Sequence, residues 1–267
     1  MNEGYQIVVC GSIVPDPLQT LEPVKGATGW GLKNELMLPS ILDPWAGHAL
    51  YEAANLAKNA PGSKVWLVSL GPRAKLQQVM MTIAQKVPFE LVALDGPAGG
   101  FVEADAVGHA LVEAIQGIPE LDAARLLVFG GWMSASRGAG ATMQIVGEKL
   151  GIFDQFQGVD KLEITPGGLR VLERVEGGSY QESLLAGPPA VFGWATGELP
   201  EPPNNPQVGM QNMRLVMPAL QKAKAVKFEG GPEYADVRIP SQKRETRIVK
   251  DTPAGTIAAE IKDWLSA

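Results

Sequence analysis

Short, continuously apolar runs that stop at glycine constrain this chain more than any other feature. Ile7-Val8-Val9-Cys10 runs into Gly11, Lys64 to Leu70 into Gly71-Pro72, and Arg125 to Phe129 into Gly130-Gly131. Runs without polar alternation suit strands buried on both faces, as in a parallel sheet covered by helices. Between them lie segments with helical spacing. In Pro44 to Lys58 the apolar residues Trp45, Ala49, Leu50, Ala53 and Leu56 share a face. Asp43 before Pro44 gives an N-cap followed by proline at the first helical position. Arg73 to Lys86, Ala104 to Ile115 and Thr142 to Leu150 read as further helices, and Phe89 to Leu94 as another strand. The alternation predicts an α/β fold, a mainly parallel sheet with helices on both faces. Ligands of such sheets sit beyond the carboxyl ends of the strands, where these glycine turns fall.

After Gly151 the texture changes. Lys161 to Ile164, Leu169 to Val175 and Ser179 to Leu184 predict a β meander, turned at Gly167-Gly168 and Gly177-Gly178. Ala190 to Thr196 reads as a further strand. Gly197 to Gly209 holds Pro200, Pro202, Pro203 and Pro206 and is expected to be an irregular loop. Met210 to Lys224 has helical character. Residues 227–255 are polar, with the basic run Lys243-Arg244, and Thr256 to Leu265 predicts a short amphipathic helix. The expected organisation is a core over residues 1–226 followed by an extended C-terminal arm over 227–267.

Composition excludes several classes of function. With 45% apolar residues in 267, the chain can bury a full-sized core. A net charge of −6 argues against nucleic acid or an anionic membrane as the main partner. One cysteine rules out an internal disulfide framework, and two histidines leave little material for a zinc site. Charged residues make up 19%, below the usual share of about 25%, so part of the surface is expected to be covered by a partner. The first residues carry neither a signal nor a transit pattern, and no apolar run approaches the ~18 residues of a membrane span. A cytoplasmic protein with a reduced thiol is the expectation.

Nucleophilic catalysis finds no support. No G-x-S-x-G elbow is present, and His48 and His109 lie inside helices without a partner motif. Cys10 closes a strand, where a thiol serves as a small buried apolar group. Glu198 and Glu201 sit in the proline loop, which is not expected to hold a carboxylate pair rigidly. Phosphate binding fares better. The segment from Gly130 to Thr142 (GGWMSASRGAGAT) follows a strand and opens a helix. Glycines let the backbone approach a ligand, and the first N–H groups of a helix form an anion site. The spacing is neither that of a P-loop nor that of a dinucleotide fingerprint. The residues alone leave two readings: a phosphate cradle, or a loop whose serines cap the helix.

Taken together and in order, several segments resemble the β subunit of electron-transfer flavoproteins. They are Ile7 to Asp16 (IVVCGSIVPD), Asp43 to Ala53 (DPWAGHALYEA), Val68 to Pro72 (VSLGP), Phe101 to Ala110 (FVEADAVGHA) and Val171 to Val191, which contains Glu176-Gly177-Gly178 and Pro189-Ala190-Val191. The resemblance implies an adenine-nucleotide-binding type of α/β fold and a heterodimer. In that family the α subunit holds most of an FAD, and the β subunit adds a wall of the flavin site and a buried AMP. Electrons arrive from a flavin dehydrogenase and leave to another flavoprotein or a quinone oxidoreductase. Carried across, the AMP phosphate would meet the amides of Gly140, Ala141 and Thr142. The adenosine would lie near Cys10, Asp43, Leu70, Gly131 and Ser134, and Trp45 would stand beside the flavin ring.

The chain also departs from the family pattern. An acidic run before the phosphate loop is replaced by Ser136, Arg137 and Gly138, and an Asn-Gln pair by Gly140-Ala141. Ser12 and Pro17 replace a lysine and a tyrosine. The basic residue of the Glu-Gly-Gly region is displaced, Glu173 taking its place beside Arg174. Backbone amides need no particular side chain, so the anion site can persist. Arg137 then either adds a charge-assisted contact to phosphate, or marks a different nucleotide or an empty site. The family's partner-recognition loop corresponds to residues 197–224. Met210, Met213, Leu215 and Met217 offer an adaptable docking surface there, the competing reading being an amphipathic helix packed on the core. The rival functions are an electron-bifurcating form, with a second FAD in the β site reduced by NADH, and a stand-alone adenine-nucleotide module.

Overall fold

One central strand serves two cores. In β1 (Gln6–Pro15), Ile7 and Val9 enter one apolar cluster while Val8 and Cys10 enter another on the opposite face. That is the two-residue period of a strand buried on both sides. The computed structural model describes residues 4–26, 29–97, 101–228, 234–241 and 246–266. After β1 come β2 (Pro23–Gly26), β3 (Gly29–Leu32), β4 (Ser40–Leu42), α1 (Pro44–Asn59), β5 (Lys64–Gly71) and α2 (Arg73–Ile83). Next are β6 (Glu90–Asp95), α3 (Ala104–Gln116), β7 (Leu126–Gly131), α4 (Thr142–Leu150) and β8 (Gln155–Thr165). The chain continues with β9 (Gly168–Arg174), β10 (Tyr180–Leu185), β11 (Ala190–Trp194), α5 (Pro206–Gln221), β12 (Lys224–Ala225) and α6 (Ala254–Ser266).

The main sheet runs β10-β9-β8-β11-β7-β1-β5-β6-β12, with β4 paired to the end of β1. Pairings from β8 through β11, β7, β1, β5 and β6 to β12 are parallel. The β8–β9–β10 meander is antiparallel, as its glycine turns predict. Helices α1, α2 and α5 pack on one face, and α3 and α4 on the other. The expected α/β sheet with helices on both faces is therefore present. From β1 the chain steps to β5 and β6 on one side and then crosses to β7 on the other, so strand order reverses between β1 and β7.

Three local differences from the sequence expectation have physical causes. Gly11 does not end the first strand. β1 continues to Pro15 because β4 pairs antiparallel with Ile13–Pro15 beyond the parallel ladder. A Cβ on Gly11 would stand 2.9 Å from Leu42 Cδ1 and 3.0 Å from Ala46 Cβ, so this glycine allows close packing rather than a turn. The proline segment becomes helical earlier than expected, at Pro206, because the Asn205 side chain accepts N–H bonds from Gln207 and Val208 and Pro206 fits the first turn. Lys224, expected at the end of that helix, instead pairs in parallel with Leu94, and Ala225 after it with Asp95.

Residues 1–237 and residues 238–267 form two compact units. Within the second unit, α6 has no buried residue, and Arg247 bonds Glu260. The basic run Lys243-Arg244 lies outside the described residues.

Helix α5 is fastened to the first unit by a buried amide. Asn212 is 4% exposed, and its Nδ2 donates to the carbonyls of Ala84 and Val87, both at 2.7 Å. Asn212→Leu removes both donors and leaves two buried carbonyls unpaired. It is expected to lower unfolding free energy by about 2–4 kcal/mol, read as a lower urea midpoint with an unchanged slope.

Candidate functional site

Where strand order reverses, the end of β1, the start of α1 and the loop between β7 and α4 converge on one carboxylate. Asp43 is 4% exposed. Its backbone N–H donates to the Ser12 carbonyl at 3.0 Å. Oδ1 accepts the Trp45 N–H at 3.2 Å, capping α1, and Oδ2 accepts the Ala135 N–H at 3.0 Å. Burial pushes the Asp43 carboxyl above the ordinary aspartate range. Hydrogen bonds from Ser134, Ala135 and Trp45, and the charge of Arg137, pull the other way.

The loop from residue 131 to 141 is shaped by glycines and by its own hydroxyls. A Cβ on Gly131 would fall 2.6 Å from Trp45 Cβ, so no side chain fits where the loop crosses the start of α1. Gly138 and Gly140 both have φ of 65°, a conformation other residues adopt only with strain. The Ser134 and Ser136 hydroxyls bond each other at 2.8 Å, and Ser134 Oγ also accepts the Ser136 N–H. These serines therefore do not cap α4. Its N-cap is Ala141, and among the described residues no side chain accepts from its first N–H groups. Of the two readings left open by the residues, helix-capping serines fail, and an uncapped helix start remains.

Arg137 lies beside that helix start. Nη2 donates to Thr142 Oγ1 at 3.1 Å and Nη1 to the Val102 carbonyl at 3.5 Å. Burial pushes its pKa down, opposed by the charges of Asp43, Tyr234 and Glu103. Cys10 forms part of the wall, and burial raises its thiol to about 12, so it acts there as an apolar group and not as a nucleophile.

Eight of the ten residues predicted for the nucleotide site line a single narrow cleft with about 50 Å³ of free space: Cys10, Asp43, Gly131, Ser134, Arg137, Gly140, Ala141 and Thr142. Leu70 and Trp45 do not line it. Leu70 is wholly buried in the apolar cluster with α3, and Trp45 is half-buried at the start of α1. The cleft gains walls that the motifs did not single out, Leu111 of α3, Met143 of α4 and Met133. Leu111 and Met143 belong to ordinary helical apolar stripes, so nothing in the sequence distinguishes them from core.

A second assembly fixes the proline loop. Glu52 of α1 accepts the N–H groups of Glu198 at 3.1 Å and Leu199 at 3.3 Å. Glu198 is also bridged to Lys161, and Lys86 pairs with Glu201 at 2.8 Å. Nearby, the displaced basic residue Arg174 forks onto buried Asp160 through Nε and Nη2, at 2.9 and 3.0 Å, and reaches Thr196. On α5 the four predicted docking residues divide. Met210 and Leu215 are exposed, at 65% and 53%, whereas Met213 and Met217 are half-buried against the core. Leu215 lines a cleft of about 760 Å³ between α1, α5 and the proline loop.

Burial holds the Glu52 carboxyl above its ordinary value of 4.5, opposed by the two backbone hydrogen bonds and reinforced by Glu198 and Asp160. The folded state then binds this proton more tightly than the unfolded state. The resulting stabilisation is complete below 4.5 and is lost as pH rises through the raised folded value. Glutamine keeps the acceptor for both N–H groups and does not ionise. Glu52→Gln is therefore expected to gain stability on the wild type as pH rises from about 4 to 8, measured by urea unfolding. A gap independent of pH contradicts this.

The sequence model of the electron transfer flavoprotein domain family matches residues 34–228. A search of curated protein sequences finds no match. The matched span carries α1, the reversal-side strands β5 and β7, the glycine loop and α4, together with the meander and α5. With about three-quarters of its length covered by that match, the chain belongs to the electron transfer flavoprotein family.

Proposed function

We propose that the chain is the β subunit of an electron-transfer flavoprotein, a non-catalytic carrier half that binds AMP and pairs with an FAD-bearing α subunit. The observation that carries this reading is the uncapped start of α4 opening into a cleft with Arg137 beside it. N–H groups without acceptors and a guanidinium suit a phosphate, and the positive end of the helix adds to both. Gly131 lets this loop cross the start of α1, where any side chain would collide with Trp45.

FAD, when bound, supplies the redox chemistry of such a complex. This chain's part is to hold the nucleotide, to present Trp45 toward the flavin side and to dock partners. Met210 and Leu215, with the proline loop fixed by Glu52, form the surface for the donor dehydrogenase. Acceptance by a second flavoprotein or a quinone oxidoreductase completes the circuit. In α6, Ile257, Ile261, Trp264 and Leu265 are exposed at helical spacing, an apolar stripe suited to contact with the α subunit. No helix among the described residues is long and apolar enough to cross a membrane.

Two experiments test the proposal. Nucleotides released by denaturing the purified complex, identified by mass, are expected to be FAD and AMP in equal amounts. Two FAD and no AMP would replace this reading with the electron-bifurcating one, in which NADH reduces a second FAD. The double variant Met210→Asp with Leu215→Asp is expected to slow reduction by the donor dehydrogenase about tenfold or more while flavin content stays unchanged. Unchanged rates remove the docking assignment.

A further inference from the structure

A second cleft lies at the other end of the strands from Asp43 and Arg137. It opens where β5 and β6 begin, between the second half of α1, the proline loop and α5. Sites for small organic ligands run from about 300 to 1000 Å³, and this cleft, at about 760 Å³, is within that range. Val65, Val87, Phe89, Leu199 and Leu215 make its walls largely apolar. Its charged members, Lys58, Lys64 and Glu90, are all exposed, so charge stands at the rim and not inside.

Two polar side chains, each more than nine-tenths buried, line the same cleft. Each keeps one hydrogen-bonding atom that no described residue uses. Tyr51 is 8% exposed, and nothing among the described residues bonds its hydroxyl. Burial, together with the charge of Glu201 in the proline loop, pushes this phenol up to about 12, so it keeps its proton and can donate. Asn212 is 4% exposed, and its Nδ2 is spent on the carbonyls of Ala84 and Val87. Its Oδ1 accepts from no described residue. Neither oxygen is sealed inside the core, so a partner for either can arrive only through the cleft. Buried polar groups are as a rule hydrogen-bonded, and these two point to a ligand that completes them.

The chemistry of that ligand follows from the pair. Asn212 Oδ1 needs a donor, which a carboxylate is not, and the Tyr51 hydroxyl needs an acceptor, which an ammonium is not. A hydroxyl group donates and accepts. An apolar interior without charge suits a neutral body, and a rigid ring loses little freedom on binding. We propose that this cleft is a second ligand site that takes a neutral ring compound bearing a hydroxyl group, with Tyr51 and Asn212 as its polar contacts. The assignment is independent of what the cleft beside Arg137 binds.

Calorimetric titration of the full chain with 2-naphthol and with naphthalene, which share a ring system and differ by the hydroxyl, tests this. The wild type is expected to bind one 2-naphthol per chain, about tenfold or more tighter than naphthalene, with saturating AMP making no difference. Tyr51→Phe keeps the ring and breaks no hydrogen bond of the fold. It should weaken 2-naphthol about tenfold and leave naphthalene unchanged. Ala54→Phe, which sets a ring into the cleft from α1, should abolish binding of both compounds. Equal affinity of the wild type for the two compounds overturns the assignment, as does wild-type affinity for 2-naphthol in both variants. Displacement of 2-naphthol by AMP also overturns it, by placing the compound in the nucleotide cleft. If the wild type binds no 2-naphthol while Tyr51→Phe slows reduction by the donor dehydrogenase, the ligand site gives way to a docking cleft for that protein.

Discussion

The cleft depends on one buried carboxylate. Asp43 receives the first turn of α1 and the loop after β7 on its two oxygens, while its own N–H is held by the end of β1. Hydrogen bonds to a charged group contribute about 1.5–3 kcal/mol each, which offsets part of the cost of burying the charge; burial still prevails and holds the carboxyl above the ordinary aspartate range. Removing the carboxylate would release two elements at once, because no other described side chain joins Trp45 and Ala135. The geometry of the glycine loop is thereby set from a helix start 92 residues earlier in the chain.

Glycines thin the sheet at the same end. Gly11 brings α1 onto β1, and Gly130 lies directly under Met143, whose sulfur would be 2.3 Å from any Cβ there. Helices on both faces can then approach the strand ends closely, and the cleft opens between their starts. The two apolar clusters fed by β1 meet this region from opposite sides, Ala46 belonging to one and Cys10 and Met143 to the other. The site is thus an outcome of packing before it is an outcome of polar chemistry.

How much of this was legible in the sequence follows from range. Helices α1 and α4 begin where Asp43-Pro44 and the glycine loop predict, because caps and periodicity are local signals. The strands β4 and β12, with three and two residues, are too short to show a period and exist only through their partners. Gly11 reads as a stop because a glycine for close approach and a glycine for a turn look alike until the neighbour is known. Met213 and Met217 share composition with Met210 and Leu215, and only the helix's rotation against the core separates them. Arg137 is visible as a charge, but whether a carboxylate answers it is decided by residues far along the chain. Asp43 shows its cap to Trp45 in sequence and hides its contact with Ala135.

The sheet's two ends are finished in different ways. Beyond β6 lies the two-residue strand β12, after which the pairing stops, so little backbone is offered there to a stray strand. At the other end β10 pairs with β9 and carries Gln181 and Glu182 among exposed positions, next to Tyr180 at 55% and Leu184 at 76% exposure. An edge of this kind is a template for pairing with another chain, and the charge of Glu182, held near Arg170, works against it. Neutralising Glu182 would turn a solubility device into a seam for self-association.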